Sequence, residues 1–93
     1  MIKSFRHDLA QRLFIGASSF GFPQDVRKRA RRKLEIIHYS HDLKDLKAPP
    51  GNRLEALKGE RKGQYSIRIN DQWRICFRFQ NGNAYDVEVT DYH

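Results

Sequence analysis

Three stretches of the chain, QYSIRIN (64–70), WRICFRF (73–79) and AYDVEVTDYH (84–93), alternate apolar and polar residues with a period of two. That alternation marks strands with one face on a core and the other in water. Short turn-forming joints, Asn70-Asp71-Gln72 and Asn81-Gly82-Asn83, separate them, so successive strands fold back on one another as an antiparallel meander. No other feature of the sequence narrows the fold as far.

The joints also decide which side chains oppose. With Asn70 to Gln72 as a three-residue loop, Ile69 faces Trp73, Ile67 faces Ile75 and Tyr65 faces Phe77, giving an unbroken apolar face. A two-residue loop sets Arg68 against Trp73 and breaks both faces. The three-residue loop therefore puts Arg68 directly across from Arg74 on the polar side. At the second joint the same reasoning pairs Phe79 with Tyr85, Phe77 with Val87 and Ile75 with Val89, and gives Arg78 the partner Asp86. Arg68 and Arg74 are left without one, as an unneutralised cationic spot. Tyr92 shares the parity of these arginines, whereas Asp91 and His93 share that of the core-facing set. Tyr65, Trp73, Phe77 and Phe79 are expected in the core.

The first half reads differently. Ile2 to Phe5 is a short strand candidate, followed by a helix opening at His7-Asp8 with Asp8 as N-cap and Leu9, Leu13 and Phe14 as its apolar stripe. GASSFGFP (16–23) is a loop, expected to be mobile without a partner, and Pro23 suits the first turn of the next helix. From Gln24 to Tyr39, Val26, Ala30, Leu34 and Ile37 recur at helical spacing. A short turn of helix capped by Ser40 or Asp42 ends at Pro49-Pro50-Gly51, and RLEALKG (53–59) holds a short strand. The order β-α-α-β-β-β-β makes an α+β domain, spanning residues 1–93, with its helices on one face of the sheet.

A net charge of +7 and a pI near 9.9 point to a polyanionic partner, nucleic acid before membrane. Much of that charge sits in RKRARRK (27–33), where six of seven residues are basic and repel one another along the helix unless phosphates neutralise them. Arg27, Lys28, Arg31 and Arg32 are expected to meet an RNA backbone, with Arg68 on the sheet. A single cysteine, Cys76, excludes an internal disulfide and a cysteine-based metal cluster and fits a reducing cytoplasm. The start MIKSFRHDLA lacks the apolar run of a signal peptide, and no stretch reaches the length of a membrane span. His38 and His41 lack acidic or cysteine company at ligand spacing, and His7 stands alone, so no metal site is expected.

With these residues in place, LKGERKGQYSIRINDQWRICFRF followed by AYDVEVTDYH resembles the HigB branch of the RelE/ParE toxin superfamily. The pattern is an L-K-G-x-R-x-G turn, a strand closing near N-x-Q-W-R-I, and a last strand closing on D-Y-H. It is strong from Leu57 to His93, and MIKSF and PPGNRLEAL extend it over most of the chain. The resemblance implies a RelE-like fold and a metal-independent, cofactor-free ribonuclease that enters the ribosomal A site and cuts messenger RNA there. It also implies a helix-turn-helix antitoxin of the HigA kind as partner, with operator DNA met only through that complex. Lys58, Arg74, Asp91, Tyr92 and His93 are the residues the resemblance assigns to the reaction. Two departures matter: relatives with H-P-L-K-G carry a histidine where this chain has Glu55, and the family's Tyr-Trp after the turn is Gln64-Tyr65 here.

Those residue types suit the chemistry. RNA cleaves itself once its 2′-hydroxyl is deprotonated, the phosphorane charge is stabilised and the departing 5′-oxygen is protonated. His93 is the natural proton carrier near neutral pH, with Asp91 as the alternative base or the group that orients the imidazole. Arg74 supplies a permanent planar charge. Lys58 adds a point charge or a proton for the leaving oxygen, and Tyr92 can stack on a base. Two other functions compete: a ParE-like gyrase poison, which has no use for this cluster, and a non-catalytic RNA-binding or co-repressor module.

Overall fold

The computed structural model describes residues 1–17 and 22–91. Helix α1 (Asp8–Ile15), helix α2 (Gln24–Tyr39) and the short α3 (Leu43–Lys47) precede strands β1 (Glu55–Ala56), β2 (Tyr65–Arg68), β3 (Trp73–Gln80) and β4 (Asn83–Asp91). The strands form one antiparallel sheet in the order β1-β2-β3-β4, the expected meander.

The β2–β3 hairpin has the register that the unbroken apolar face required: Tyr65 opposes Phe77, Ile67 opposes Ile75 and Arg68 opposes Arg74. Its loop is held by Asn70, whose Oδ1 accepts from the backbone N–H of Gln72 at 2.9 Å and of Trp73 at 2.8 Å. An asparagine that satisfies two backbone donors fixes the turn, and the turn fixes the register.

The β3–β4 hairpin departs from the expected register. Asn81 and Gly82, with φ of 51° and 78°, form a tight two-residue turn, so Gln80 pairs with Asn83, Phe79 with Ala84 and Arg78 with Tyr85. Further along, Cys76 pairs with Glu88 and Ile75 with Val89, one residue out of step with the turn and in the expected register. The irregularity lies between Cys76 and Arg78, opposite Asp86, whose φ of 53° is left-handed. Asn-Gly selects the turn whose twist matches the strands, and a bulge then restores the inward face for Val87 and Val89. The expected Phe79–Tyr85 pairing is thereby replaced, although Arg78 and Asp86 still meet at 3.5 Å.

The same bulge explains the N-terminus. Ile2 to Phe5 makes two isolated parallel bridges with β4, at Ala84 and Val87, where a continuous strand was expected. Asp86 interrupts the ladder between them, and its N–H donates instead to Ser4 Oγ at 2.9 Å. His7, not Asp8, is the N-cap of α1: its Nδ1 lies 3.2 Å from the N–H of Ala10, and its Nε2 lies 3.1 Å from that of Val89. A neutral imidazole has one acceptor nitrogen, so the ring serves one of these donors at a time. Asp8 lies in the first turn and pairs with Arg12 at 2.7 Å. Asp42 caps α3 with Asp45 in a capping box, the second of the two expected caps.

Between helices and sheet lies the core. Val26, Ala30, Leu34 and Ile37 of α2 pack with Ile67, Ile75, Phe77, Val87 and Val89, while Tyr65, Trp73 and Phe79 are partly buried against them. Phe22 and Trp73 stack with ring centroids 4.7 Å apart. No helix among the described residues is long and apolar enough to cross a membrane.

Candidate active site

Strand alternation sends Ser66 of β2, Arg74 and Cys76 of β3, and Glu88 and Thr90 of β4 to the face away from α2, while Arg68, of the same parity at the end of β2, lies within reach of α2. Two rows of neighbours result: Glu55, Ser66, Cys76 and Glu88 run across the strands, and beside them run Arg68, Arg74 and Thr90. The face is polar yet largely closed. Ser66 and Cys76 are fully buried, and Arg74 is 9% exposed.

Arg74 is the centre of this site, and it is not the bare cation the sequence suggested. Its Nε–H donates to Ser66 Oγ at 2.8 Å, and its Nη2 donates to the carbonyls of Arg53 at 2.7 Å and Ser66 at 3.3 Å. The Glu55 carboxylate stands 3.6 Å away. Arg68 is likewise partnered, by Asp71 in the adjacent turn. The expectation of an unneutralised spot fails because register places backbone and short loops beyond the reach of strand parity. Anchoring holds the guanidinium plane in one orientation, the condition for stabilising a developing charge without reorganisation.

A second cluster lies across the face. Glu88, nearly buried, takes Arg61 on one oxygen and has Arg6 at 3.5 Å from the other; Arg61 also donates to Gln64 Oε1 at 3.2 Å. Arg61 belongs to the turn Gly59–Arg61, so this pair ties the turn that follows Lys58 to the sheet. Lys58 itself is exposed, and its carbonyl accepts from Arg61 N–H at 3.3 Å. Burial pushes the Cys76 thiol up, against the opposing pull of a hydrogen bond to Thr90 and the charges of Arg61 and Arg74. A protonated, buried thiol is no nucleophile.

Of the five residues assigned to the reaction, Arg74 and Asp91 lie one pair apart on the sheet: Arg74 opposes Thr90, and Trp73 opposes Asp91. Asp91 is exposed, with Gln72 Nε2 donating to its Oδ2 at 3.2 Å. Tyr92 and His93 lie outside the described residues, as do Ser18 to Gly21 of the loop expected to be mobile. The basic run of α2 divides between two sides of the helix. Arg27, Lys28 and Arg31 line a hollow with Leu13, Gly16 and Ala17, while Arg29, Arg32 and Lys33 line a cleft with Gly51, Arg68 and Ile69. Among the described residues no three His, Cys, Asp or Glu side chains are grouped as for a metal ion. His38 instead accepts the N–H of Ile2 on Nδ1 at 3.1 Å.

Ser66, Glu55, Glu88 and the Arg53 carbonyl escaped the sequence reading. Ser66 was within reach, since it shares Arg74's parity on the adjoining strand; the Arg53 carbonyl was not, because it depends on a left-handed φ of 45° at that residue.

Residues 3–93 match the family described as the RelE-like toxin of the type II toxin-antitoxin system HigB. The chain is 37% identical over 93 residues to the Endoribonuclease HigB of Proteus vulgaris, covering 100% of both. To Toxin HigB-1 of Vibrio cholerae serotype O1 it is 44% identical over 62 residues, 67% of this chain and 65% of that protein. Its fold is similar to that in the YoeB-YefM complex from Staphylococcus aureus, with a TM-score of 0.52 at 17% identity over 100% of this chain and 98% of that one.

Proposed function

This chain belongs to the HigB-like family of RelE-like toxins of type II toxin-antitoxin systems, and we propose that it is a cytoplasmic endoribonuclease cutting messenger RNA in the ribosomal A site. In this reading the cut needs no metal ion, and it stops translation and growth. A helix-turn-helix antitoxin of the HigA kind holds the toxin in check and brings it to operator DNA. The relative in Proteus vulgaris carries the endoribonuclease name, and the similar fold from Staphylococcus aureus is half of a two-protein complex.

One observation carries the reading. The Arg74 guanidinium is fixed by Ser66 and Arg53, and on the other side Arg74 pairs along the sheet with Thr90, after which Asp91, Tyr92 and His93 follow in the chain. A phosphate over Arg74 meets a preoriented charge. His93, or Asp91 in its place, takes the 2′-hydroxyl proton, the oxygen attacks phosphorus, and the 5′-oxygen leaves with a proton that Lys58 can supply. Tyr92 stacks on a flanking base. Glu55, at 3.6 Å from Arg74 Nη2, is the group a phosphate displaces.

Programmed ribosomes supplied with the protein test this, with cut sites mapped by primer extension. Wild type is expected to cut at A-site codons, and His93→Ala to lose at least ~100-fold. Arg74→Lys keeps the charge but not the planar fork and is expected to lose a similar factor. If both variants cut as fast as wild type, the assignment fails. DNA breakage without messenger fragments points to gyrase instead.

A further inference from the structure

Beside Arg68, the chain forms a cleft of about 260 Å³ lined by Arg29, Arg32, Lys33, Gly51, Arg68 and Ile69. Four cations meet there, and among the described residues no carboxylate lines it. Asp71 engages Arg68, but among the described residues the three basic side chains of α2 have no such counterpart at the cleft. Lys33 is held in place, its Nζ donating to Oδ1 of Asn52, whose Nδ2 donates to the Leu46 carbonyl at 3.0 Å. Asn52 is fully buried, so this ammonium is pinned by the core. Gly51 adds no side chain to the floor; a Cβ there lies 4.0 Å from Lys33 Nζ. Burial, and then the charges of Arg68, Arg29 and Arg32, lower the Lys33 pKa. Holding these groups together without an anion costs stability, and a bound anion relieves that cost.

We propose that this cleft binds a backbone phosphate of the RNA strand whose neighbouring linkage lies over Arg74. The inference rests on the ribonuclease reading and names how the substrate is held. Arg68 lines the cleft and pairs with Arg74 on the adjacent strand, so the cleft adjoins the site. A strand leaving Arg74 past Arg68 enters the cleft. Arg29 and Lys33 thereby join Arg32 and Arg68 as strand-positioning residues, and the α2 run serves two partners on two sides of the helix.

The test is the salt dependence of RNA binding. The full chain is titrated into a short fluorescent single-stranded RNA, 2′-O-methylated so that it resists cleavage, and anisotropy is read over a range of salt. Loss of one phosphate contact lowers the slope of log Kobs against log salt by about 0.7. Arg29→Gln, Arg32→Gln and Lys33→Met are each expected to show that reduction. Lys44→Gln, an equal charge loss on exposed α3, is the control expected to keep the wild-type slope. Lys33→Met disturbs a buried partner, so the two exposed arginines carry the test if it misfolds. Slopes equal to the control overturn the proposal, as does a wild type that fails to bind this RNA at low salt. A loss confined to antitoxin binding reassigns the cleft to an acidic protein surface and overturns it too. Cleft-dependent binding without any cutting on ribosomes leaves the phosphate site standing and removes the ribonuclease reading.

Discussion

Arg74 shows how far a side chain's neighbours alter its chemistry. A strand arginine on a polar face is ordinarily a solvated charge; this one is buried and held by Ser66 and the Arg53 carbonyl. Ser66→Ala leaves a buried guanidinium N–H unmet, which costs about 1–3 kcal/mol. Urea unfolding is expected to register that loss, and messenger cutting to fall roughly tenfold or more as the fork loses its orientation. Glu55→Gln behaves differently. The carboxylate is half-exposed, 3.6 Å from Arg74, so its removal changes stability by less than about 1 kcal/mol. Because it competes with phosphate for Arg74, its removal is expected to lower KM several-fold. An increase in KM shows that Glu55 contributes to binding instead.

At the scale of elements, the β3–β4 hairpin decides where the C-terminal residues start. The tight Asn81-Gly82 turn sets β4 one residue out of step, and the bulge at Asp86 takes up that residue, putting Thr90 beside Arg74. Gly82 has a φ of 78°, and a Cβ there meets the His41 carbonyl oxygen at 3.1 Å. Gly82→Ala is therefore expected to destabilise by about 1–2 kcal/mol in thermal or urea unfolding. At Asp86, Asp86→Gly relieves the left-handed backbone but loses a half-exposed ion pair with Arg78, a net change within about 1 kcal/mol. Asp86→Val keeps the strain and adds branching, so it is expected to cost roughly 1–2 kcal/mol. Equal stabilities for the glycine and valine variants show that the bulge moves elsewhere when challenged.

For the whole molecule, one core between helices and sheet supports both the site face and the basic helix. Leu34 is fully buried against that sheet, and Leu34→Ala is expected to cost about 2–5 kcal/mol. Titration of the folded state carries a second signature. Burial raises the Cys76 pKa, so the folded chain keeps a proton that the unfolded chain sheds as pH rises past the ordinary thiol value. Stability then falls over the window between that value and the raised one. Lys33 has the opposite sign: its pKa is lowered, so stability rises between the lowered value and the ordinary lysine value. Comparing wild type with Cys76→Ala across alkaline pH isolates the first effect; the variant is expected to lose the downward component. A thiol reagent is expected to reach Cys76 only on opening of the fold.

Period, spacing and turn chemistry by themselves determined the α+β meander, α2 from Gln24 to Tyr39 with its four buried positions, and the opposition of Arg68 and Arg74. These follow from local rules, since a strand's alternation and a three-residue loop leave one register that buries the apolar set. The motifs also carried the family. Tertiary structure alone decided what touches Arg74, that Arg68 and Arg74 have acidic partners, that His7 caps α1, and that the basic run splits into two surfaces. Each depends on segments distant in sequence meeting in space: a left-handed Arg53, a bulge at Asp86, a buried Asn52. Parity along one strand assigns a face, but it holds no information about the loops that close over it.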